Sequence, residues 1–124
     1  MEERTVAIDF DRVVHRYSSG WTGVVPQDPP VAGARRFIRW LLDHGYTPVI
    51  FSTRATESRG RIEIEHWLTK YGFPKVLVTG EKVPAIMYLD DLGFRFNGSF
   101  SEAMRFLIEY PEGTNWMDLI EGEA

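Results

Sequence analysis

TVAIDFD, residues 5–11, is a short apolar run that ends in two carboxylates, Asp9 and Asp11. A run of this length and composition predicts a strand that is buried on both faces of a parallel sheet. A later run, AIMYL, is followed in the same way by Asp90 and Asp91. Because ligands bind at the carboxyl ends of the strands in open α/β sheets, we expect both acidic pairs to form one pocket.

The two acidic pairs predict a bound cation. Unit charges about 4 Å apart repel by about 1 kcal/mol in water and by about 4 kcal/mol at an effective dielectric constant near 20. A carboxylate cluster is therefore hard to keep ionised without a cation, and all-oxygen ligands suit Mg²⁺. We expect a magnesium site that serves phosphate chemistry.

Length and composition limit the classes of protein to consider. The 124 residues, 44% hydrophobic and 26% charged, predict one globular domain over residues 1–124. A net charge of −4 argues against a general nucleic-acid coat protein, and the absence of cysteine excludes disulfides and thiol chemistry. Without a signal-peptide pattern or an apolar stretch near 18 residues, we expect a cytoplasmic monomer or small homo-oligomer with no membrane partner.

Apolar runs alternate with helical periodicities along the chain. Strands are predicted over residues 4–9, 47–52, 75–79 and 85–90, with a weak further candidate at 94–96. Helices are predicted from three sets of apolar positions: Ala34, Phe37, Ile38, Leu41 and Leu42; Ile64, Trp67, Leu68 and Tyr71; Ala103, Phe106, Leu107 and Tyr110. This alternation predicts a mostly parallel sheet with right-handed crossovers.

Helix ends are indicated by glycine, proline and capping residues. The first helix is expected to stop at Gly45 and the second at Gly72. The third follows a capping box that runs from Ser99 to Glu102 and is closed by Pro111.

Residues 12–30 form a connection that is long for a link between a strand and a helix. A long loop at the carboxyl end of a strand is often functional, and a small hairpin is expected within this one. The alternative is a surface loop whose aromatic residues pack on the domain.

The strand ends together carry the groups that phosphoryl transfer through a covalent intermediate requires. A carboxylate attacks phosphorus, and a second carboxyl donates a proton to the leaving oxygen and then takes one from water. Hydroxyl and ammonium groups hold the phosphoryl oxygens while a metal neutralises developing charge. The candidates are Asp9, Asp11, Ser52, Lys82, Asp90 and Asp91.

In their order along the chain, these segments resemble the four motifs of the haloacid dehalogenase (HAD) superfamily. The matching segments are Asp9-Phe10-Asp11-Arg12-Val13, Ser52, Lys82 and Asp90-Asp91. The resemblance implies that Asp9 is the nucleophile and that Asp11 is the general acid and base. It also implies that Ser52 binds the transferring phosphoryl group and that Lys82 neutralises the aspartyl phosphate.

The resemblance further implies a metal site and a fold. Mg²⁺ would be held by Asp9, the backbone carbonyl of Asp11 and Asp90, with Asp91 in support. The fold would be a three-layer Rossmannoid parallel sheet with strand order 3-2-1-4-5, and residues 12–30 would form its squiggle and flap. No insertion is large enough for a cap domain, which is typical of the capless subset.

Ser52-Thr53-Arg54 is similar to a serine-glycine-arginine motif in the 3′-phosphatase domains of polynucleotide kinases, where the arginine helps to hold substrate. By this similarity Arg54 is a candidate substrate-binding residue, and Thr53, Arg12, His15 and Tyr17 are further candidates. The position of Arg12 is usually glycine in the HAD phosphatases. Glycine adopts a positive φ at little cost and arginine does not, so Arg12 either alters the flap, adds a phosphate contact or reduces activity.

Three functions remain open at this level. The first is a phosphatase that acts on a phosphorylated small molecule or on a nucleic-acid 3′-phosphate end. The second is a phosphoaspartate receiver, which the order of the motifs disfavours because here the second acidic pair follows the lysine. The third is a phosphate-binding module without turnover, which Arg12 keeps open.

Overall fold

The structure is a computed structural model that describes residues 4–93 and 95–109. Its elements, in chain order, are β1 (Thr5–Asp9), α1 (Ala34–Asp43), β2 (Thr47–Phe51), α2 (Ser58–Lys70), β3 (Leu77–Thr79), β4 (Met87–Leu89) and α3 (Phe100–Glu109). A 3₁₀ turn, Thr53–Thr56, lies between β2 and α2. The chain divides into two compact units, residues 1–90 and 91–124, so that α3 belongs to the second.

The first unit contains a parallel sheet of four strands in the order β3-β2-β1-β4. β1 is central because its residues pair with strands on both sides, from Thr5 with Thr47 to Asp9 with Phe51, and at Ile8 with Leu89. The α/β class, the parallel sheet and the order of these four strands agree with the prediction and fit a Rossmann-like fold.

The fifth strand of the expected order 3-2-1-4-5 is not among the described residues. The candidate at 94–96 is wrong for its described positions, since Arg95 and Phe96 are exposed and adopt no strand. β3 and β4 are also shorter than predicted and begin after Pro74 and Pro84, although the N–H of Ile86 already donates to the Thr5 carbonyl at 2.9 Å.

The predicted ends of α1 and α2 are confirmed. Gly45 and Gly72 follow the two helices with φ of 79° and 73°, in the left-handed region that glycine adopts most cheaply. The N–H of Tyr46 donates to the Leu41 carbonyl at 2.9 Å, and the N–H of Phe73 donates to the Leu68 carbonyl at 3.0 Å. These bonds define a Schellman motif at each helix end.

One hydrophobic core joins the sheet to α1 and α2. Its buried residues are Val6, Ile8, Phe10, Val14, Ile38, Leu41, Ile50, Ile64, Trp67, Leu68, Phe73 and Val78. The predicted apolar face of α2 is confirmed. That of α1 is confirmed except at Leu42, which is exposed. Arg35 donates to the Tyr71 carbonyl at 3.3 Å, so α1 lies beside the end of α2.

In the second unit, the predicted start of α3 is confirmed. The Ser99 hydroxyl accepts a hydrogen bond from the Glu102 N–H at 3.3 Å, as expected for an N-cap residue. Tyr110 and Pro111, which were expected on and after this helix, lie outside the described residues. Across the part of the chain that the structure describes, no helix is both long and apolar enough to span a membrane.

Candidate functional site

Asp9 and Asp90 meet at the carboxyl edge of the sheet. Because Ile8 pairs with Leu89, the next residue of each strand lies beside the other, and their carboxylate oxygens are within 4.8 Å. Asp91 follows Asp90 and offers a carboxylate oxygen within the same distance of it. Three carboxylates form an oxygen-only donor set, which fits a hard cation such as Mg²⁺.

A tight turn carries the chain from Asp9 to Asp11 and beyond. The Asp9 carboxylate accepts a hydrogen bond from the Phe10 N–H at 2.9 Å. The Phe10 carbonyl accepts hydrogen bonds from the N–H groups of Val14 and His15 at 3.0 and 2.8 Å. Because this turn follows Asp9 and Asp11 directly, local backbone hydrogen bonds set the separation of these two residues.

Arg12 occupies a left-handed position in this turn, with φ of 70°. The conformation costs a residue with a Cβ about 1–2 kcal/mol, a cost that glycine would not have. The Arg12 guanidinium lies 5.3 Å from the Tyr17 ring centroid, and Tyr17 itself has φ of 59°. The backbone therefore keeps this path despite strain at Arg12 in the turn and at Tyr17 beyond it.

Both oxygens of Asp11 are engaged by side chains. Arg54 Nε donates to Oδ2 at 3.0 Å, and His15 Nδ1 lies 2.8 Å from Oδ1. Burial raises the pKa of Asp11, but the hydrogen bonds from His15 and Arg54 outweigh it and hold the pKa below the ordinary value of 3.8. In this arrangement Asp11 is an ionised carboxylate, whereas a general acid has to carry a proton.

The backbone N–H of Asp28 determines which ring nitrogen of His15 carries the hydrogen. The Asp28 N–H donates to His15 Nε2 at 3.0 Å, so Nε2 carries no hydrogen and Nδ1 donates to Asp11. The ring is 1% exposed and stacks on Phe10 with centroids 5.1 Å apart. In this conformation both ring nitrogens of His15 are hydrogen-bonded within the protein and the ring orients Asp11, while its predicted contact with substrate stays a prediction.

Asp28 completes this buried network, and sequence reasoning did not identify it. Its carboxylate accepts hydrogen bonds from the Ser19 N–H and hydroxyl at 2.8 and 2.6 Å, and its carbonyl accepts one from Trp67 Nε1 at 2.8 Å. Burial raises the pKa of Asp28, but the hydrogen bonds from Ser19 outweigh it and the pKa is lowered. An acid next to proline in a long loop carried no sequence signal for these contacts.

Backbone hydrogen bonds join the two ends of the long loop, residues 12–30, and Arg54 binds its middle. The N–H of Arg16 donates to the Pro29 carbonyl at 2.9 Å, and the N–H of Val31 donates to the Val14 carbonyl at 2.8 Å. Arg54 Nη1 donates to the Gly23 carbonyl at 3.0 Å. Within residues 12–30, all of which the structure describes, the expected small hairpin is not formed, because the two ends of the loop pair with each other instead.

Ser52 shapes the turn that presents Arg54. The Ser52 side chain is buried, its N–H donates to the Thr79 carbonyl at 3.0 Å, and its hydroxyl accepts from the Arg54 N–H at 3.2 Å. Thr53 is exposed on the same turn. A Cβ on Gly60 would lie 1.7 Å from the Arg54 carbonyl oxygen, so α2 packs against this turn without space for a side chain.

Lys82 lies in the exposed segment before β4. Its ammonium is 5.5 Å from the ring centroid of Tyr88, whose hydroxyl donates to the Val83 carbonyl. The predicted role of Lys82 as the partner of an aspartyl phosphate stays a prediction.

Comparison with known proteins supports the fold but assigns no activity. No family model matches the chain, and no curated protein matches it. A solved structure of a conserved protein from Bacteroides thetaiotaomicron is similar, with a TM-score of 0.54, 20% sequence identity, and coverage of 93% of this chain and 95% of that chain. At this identity the likeness shows a shared fold alone.

Trp21 is a further residue at the site to which sequence reasoning gave no role. Its side chain is 62% exposed, and the Arg54 guanidinium carbon lies 4.6 Å from its ring centroid. The loop aromatic Tyr17 is 5.8 Å from the same carbon. Arg54 therefore connects the Asp11 carboxylate with two aromatic side chains of the loop.

Proposed function

We propose that this chain is a Mg²⁺-dependent phosphatase of the HAD type, which hydrolyses a phosphomonoester through an aspartyl phosphate on Asp9. The observation that supports this most directly is the approach of the Asp9 and Asp90 carboxylates to within 4.8 Å at the ends of adjacent parallel strands. This is the edge of an α/β sheet where ligands bind.

The donor set fits the metal. Asp9, Asp90 and the backbone carbonyl of Asp11 would hold Mg²⁺, with Asp91 in support. When bound, the ion would offset the negative charge of the carboxylates and of the phosphoryl oxygens.

In the proposed reaction, the Asp9 carboxylate attacks phosphorus and the bond from phosphorus to the leaving oxygen breaks. Ser52 and Lys82 would bind the phosphoryl oxygens. A water molecule then attacks the phosphorus of the aspartyl phosphate, which releases inorganic phosphate and restores Asp9. As an ionised carboxylate, Asp11 is suited to take the proton from that water.

The first step makes a different demand on Asp11. An alkoxide leaving group needs a proton, but Asp11 is held ionised by His15 and Arg54. Protonation of Asp11 would require the Arg54 contact to open. We therefore expect aryl phosphates, whose leaving groups need little protonation, to be hydrolysed faster than alkyl phosphates.

Hydrolysis of p-nitrophenyl phosphate tests the proposal. Activity should require Mg²⁺, disappear with chelator and fall by about a thousandfold or more in Asp9→Asn. Asp43→Asn, which changes an exposed aspartate at the end of α1, is the matched control and should keep wild-type activity. Full activity in Asp9→Asn would refute the nucleophile assignment.

A second candidate is a phosphate-binding module without turnover. The engagement of both Asp11 oxygens and the left-handed Arg12 favour it, because each departs from what the reaction needs. Calorimetry with inorganic phosphate and Mg²⁺ distinguishes the candidates. Binding with no hydrolysis of any phosphomonoester supports the module, whereas metal-dependent product formation rejects it.

A further inference from the structure

We propose that Trp21 is a stacking platform for the base of the substrate, so that the preferred phosphomonoester is a nucleotide or the nucleotide at a nucleic-acid end. The inference rests on the proposed function and names its substrate class.

The first support is the way Trp21 is held. An indole that is 62% exposed leaves much of its surface open to a ligand. It lies against Arg54, which is only 7% exposed and is fixed by Asp11 and by the Gly23 carbonyl. The cation–π contact with a guanidinium that is itself hydrogen-bonded in place restricts the position of the ring.

The second support is distance. The guanidinium of Arg54 spans the gap, with Nε 3.0 Å from Asp11 and Cζ 4.6 Å from the Trp21 centroid. With one Nε–Cζ bond between these contacts, the path from carboxylate to ring is about 9 Å at most. In a nucleotide a single sugar separates the phosphate from the base, so a phosphate beside the Asp11 carboxylate and a base on the indole are within one nucleotide's reach.

The third support is chemical selectivity. Every nucleobase has a π-face that stacks on an aromatic side chain, whereas sugar phosphates and inorganic phosphate have none. Arg12, whose guanidinium lies 5.3 Å from the Tyr17 ring centroid, adds positive charge beside the loop aromatics and favours an anionic ligand. Together they favour a ligand that is flat at one end and anionic at the other.

Binding measurements on the Asp9→Asn protein in Mg²⁺ test the inference, since this variant should hold substrate without consuming it. The ligands are thymidine 3′-monophosphate, thymidine 5′-monophosphate, a 3′-phosphorylated oligonucleotide and β-glycerophosphate. We expect Trp21→Ala to weaken binding of the thymidine ligands about tenfold and that of β-glycerophosphate less than twofold, and Trp21→Phe to restore most of the loss. The oligonucleotide arm separates free nucleotides from nucleic-acid ends.

The control is Trp40→Ala, which removes an exposed tryptophan of α1 that stacks on His44 and should change none of these affinities. The indole N–H resonance of Trp21 should shift on addition of thymidine nucleotides and not on addition of β-glycerophosphate. Equal affinities in wild type and Trp21→Ala, with no shift of this resonance, would overturn the inference.

The two proposals fail in different ways. Nucleotide binding that depends on Trp21, in a protein that hydrolyses no phosphomonoester, would support the platform and reject the phosphatase. Metal-dependent hydrolysis that is insensitive to Trp21→Ala for nucleotides would reject the platform alone. Absence of both binding and hydrolysis would reject both.

Discussion

Asp9 and Asp11 are separated by one residue, yet the structure gives their carboxylates opposite surroundings. Asp9 approaches another acid, Asp90, to within 4.8 Å, while Asp11 receives hydrogen bonds from Arg54 and His15 at 3.0 and 2.8 Å. The first carboxylate gains from an added cation, and the second already has one from the protein. The same residue type therefore joins either an acidic cluster that could bind a metal or an ion pair within the protein, according to which side chains the neighbouring segments bring.

The largest expected effect comes from displacing the backbone turn that presents Arg54 to Asp11. In Gly60→Ala the new Cβ would lie 1.7 Å from the Arg54 carbonyl oxygen, so the turn that presents Arg54 has to move. We expect the free energy of unfolding in urea to fall by about 3 kcal/mol. Gly20→Ala is the control: its φ of 68° is strained but nothing lies near the new Cβ, so about 1 kcal/mol is expected. Equal losses would contradict the steric explanation.

The Asp9 side should respond to metal. At a Mg²⁺ concentration near 100 times its dissociation constant, the free energy of unfolding should rise by about 2.7 kcal/mol, since the folded state alone has the site. Chelator should reverse the gain. Asp90→Asn should abolish it and Asp43→Asn should not. A full Mg²⁺ effect in Asp90→Asn would show that the ion binds elsewhere.

Replacing Arg54, the cation that pairs with Asp11, should cause the next largest change in the free energy of unfolding. Arg54→Gln leaves the Asp11 carboxylate without its ion pair and should lower the free energy of unfolding by about 2 kcal/mol. Arg59→Gln, in an exposed position of α2, should change it by less than about 0.5 kcal/mol. Chemical denaturation of the three proteins at neutral pH measures both values, and equal stabilities would refute the role of this pair.

The same variant should change the response to acid. The pKa of Asp11 is lowered in the folded state, so its contribution to stability is complete above the unfolded value near 3.9 and is lost as pH falls through the folded value. Wild-type stability should therefore decline as pH falls below about 3.9, and Arg54→Gln should decline less steeply. Asp28, whose pKa is also lowered, should keep its own part of the acid sensitivity in both proteins. Identical slopes would show that Arg54 does not set this pKa.

The smallest effect is expected at Arg12, the residue that follows Asp11. Arg12→Gly removes the strain of a φ of 70° but also the contact with Tyr17, so we expect a gain of about 0.5 kcal/mol. Arg16→Gly is the control and should lose stability, since Arg16 is outside the left-handed region. A loss in Arg12→Gly would mean that the side chain contributes more than the strain costs.

Much of the fold was predictable because helices, strands and their ends depend on residues that are close in sequence. The period of apolar residues separates helices from strands, and Gly45 and Gly72 end their helices through hydrogen bonds between residues that are close in sequence. The meeting of Asp9 and Asp90 also followed, because parallel strands bring their carboxyl ends to one edge. The strand predicted at 94–96 was wrong at its described positions, since so short a run has no strong local signal.

The sequence by itself determined which residue types end the strands and therefore which chemistry the sheet edge offers. Only the tertiary structure decided their partners: Arg54 reaches Asp11 across 43 positions, and His15 meets the Asp28 N–H across 13. Such contacts depend on how α2 packs against the 3₁₀ turn and on where the long loop closes. Propensity and periodicity act over a few residues, whereas a carboxylate's charge partners are set by whichever distant segments the packed core brings beside it.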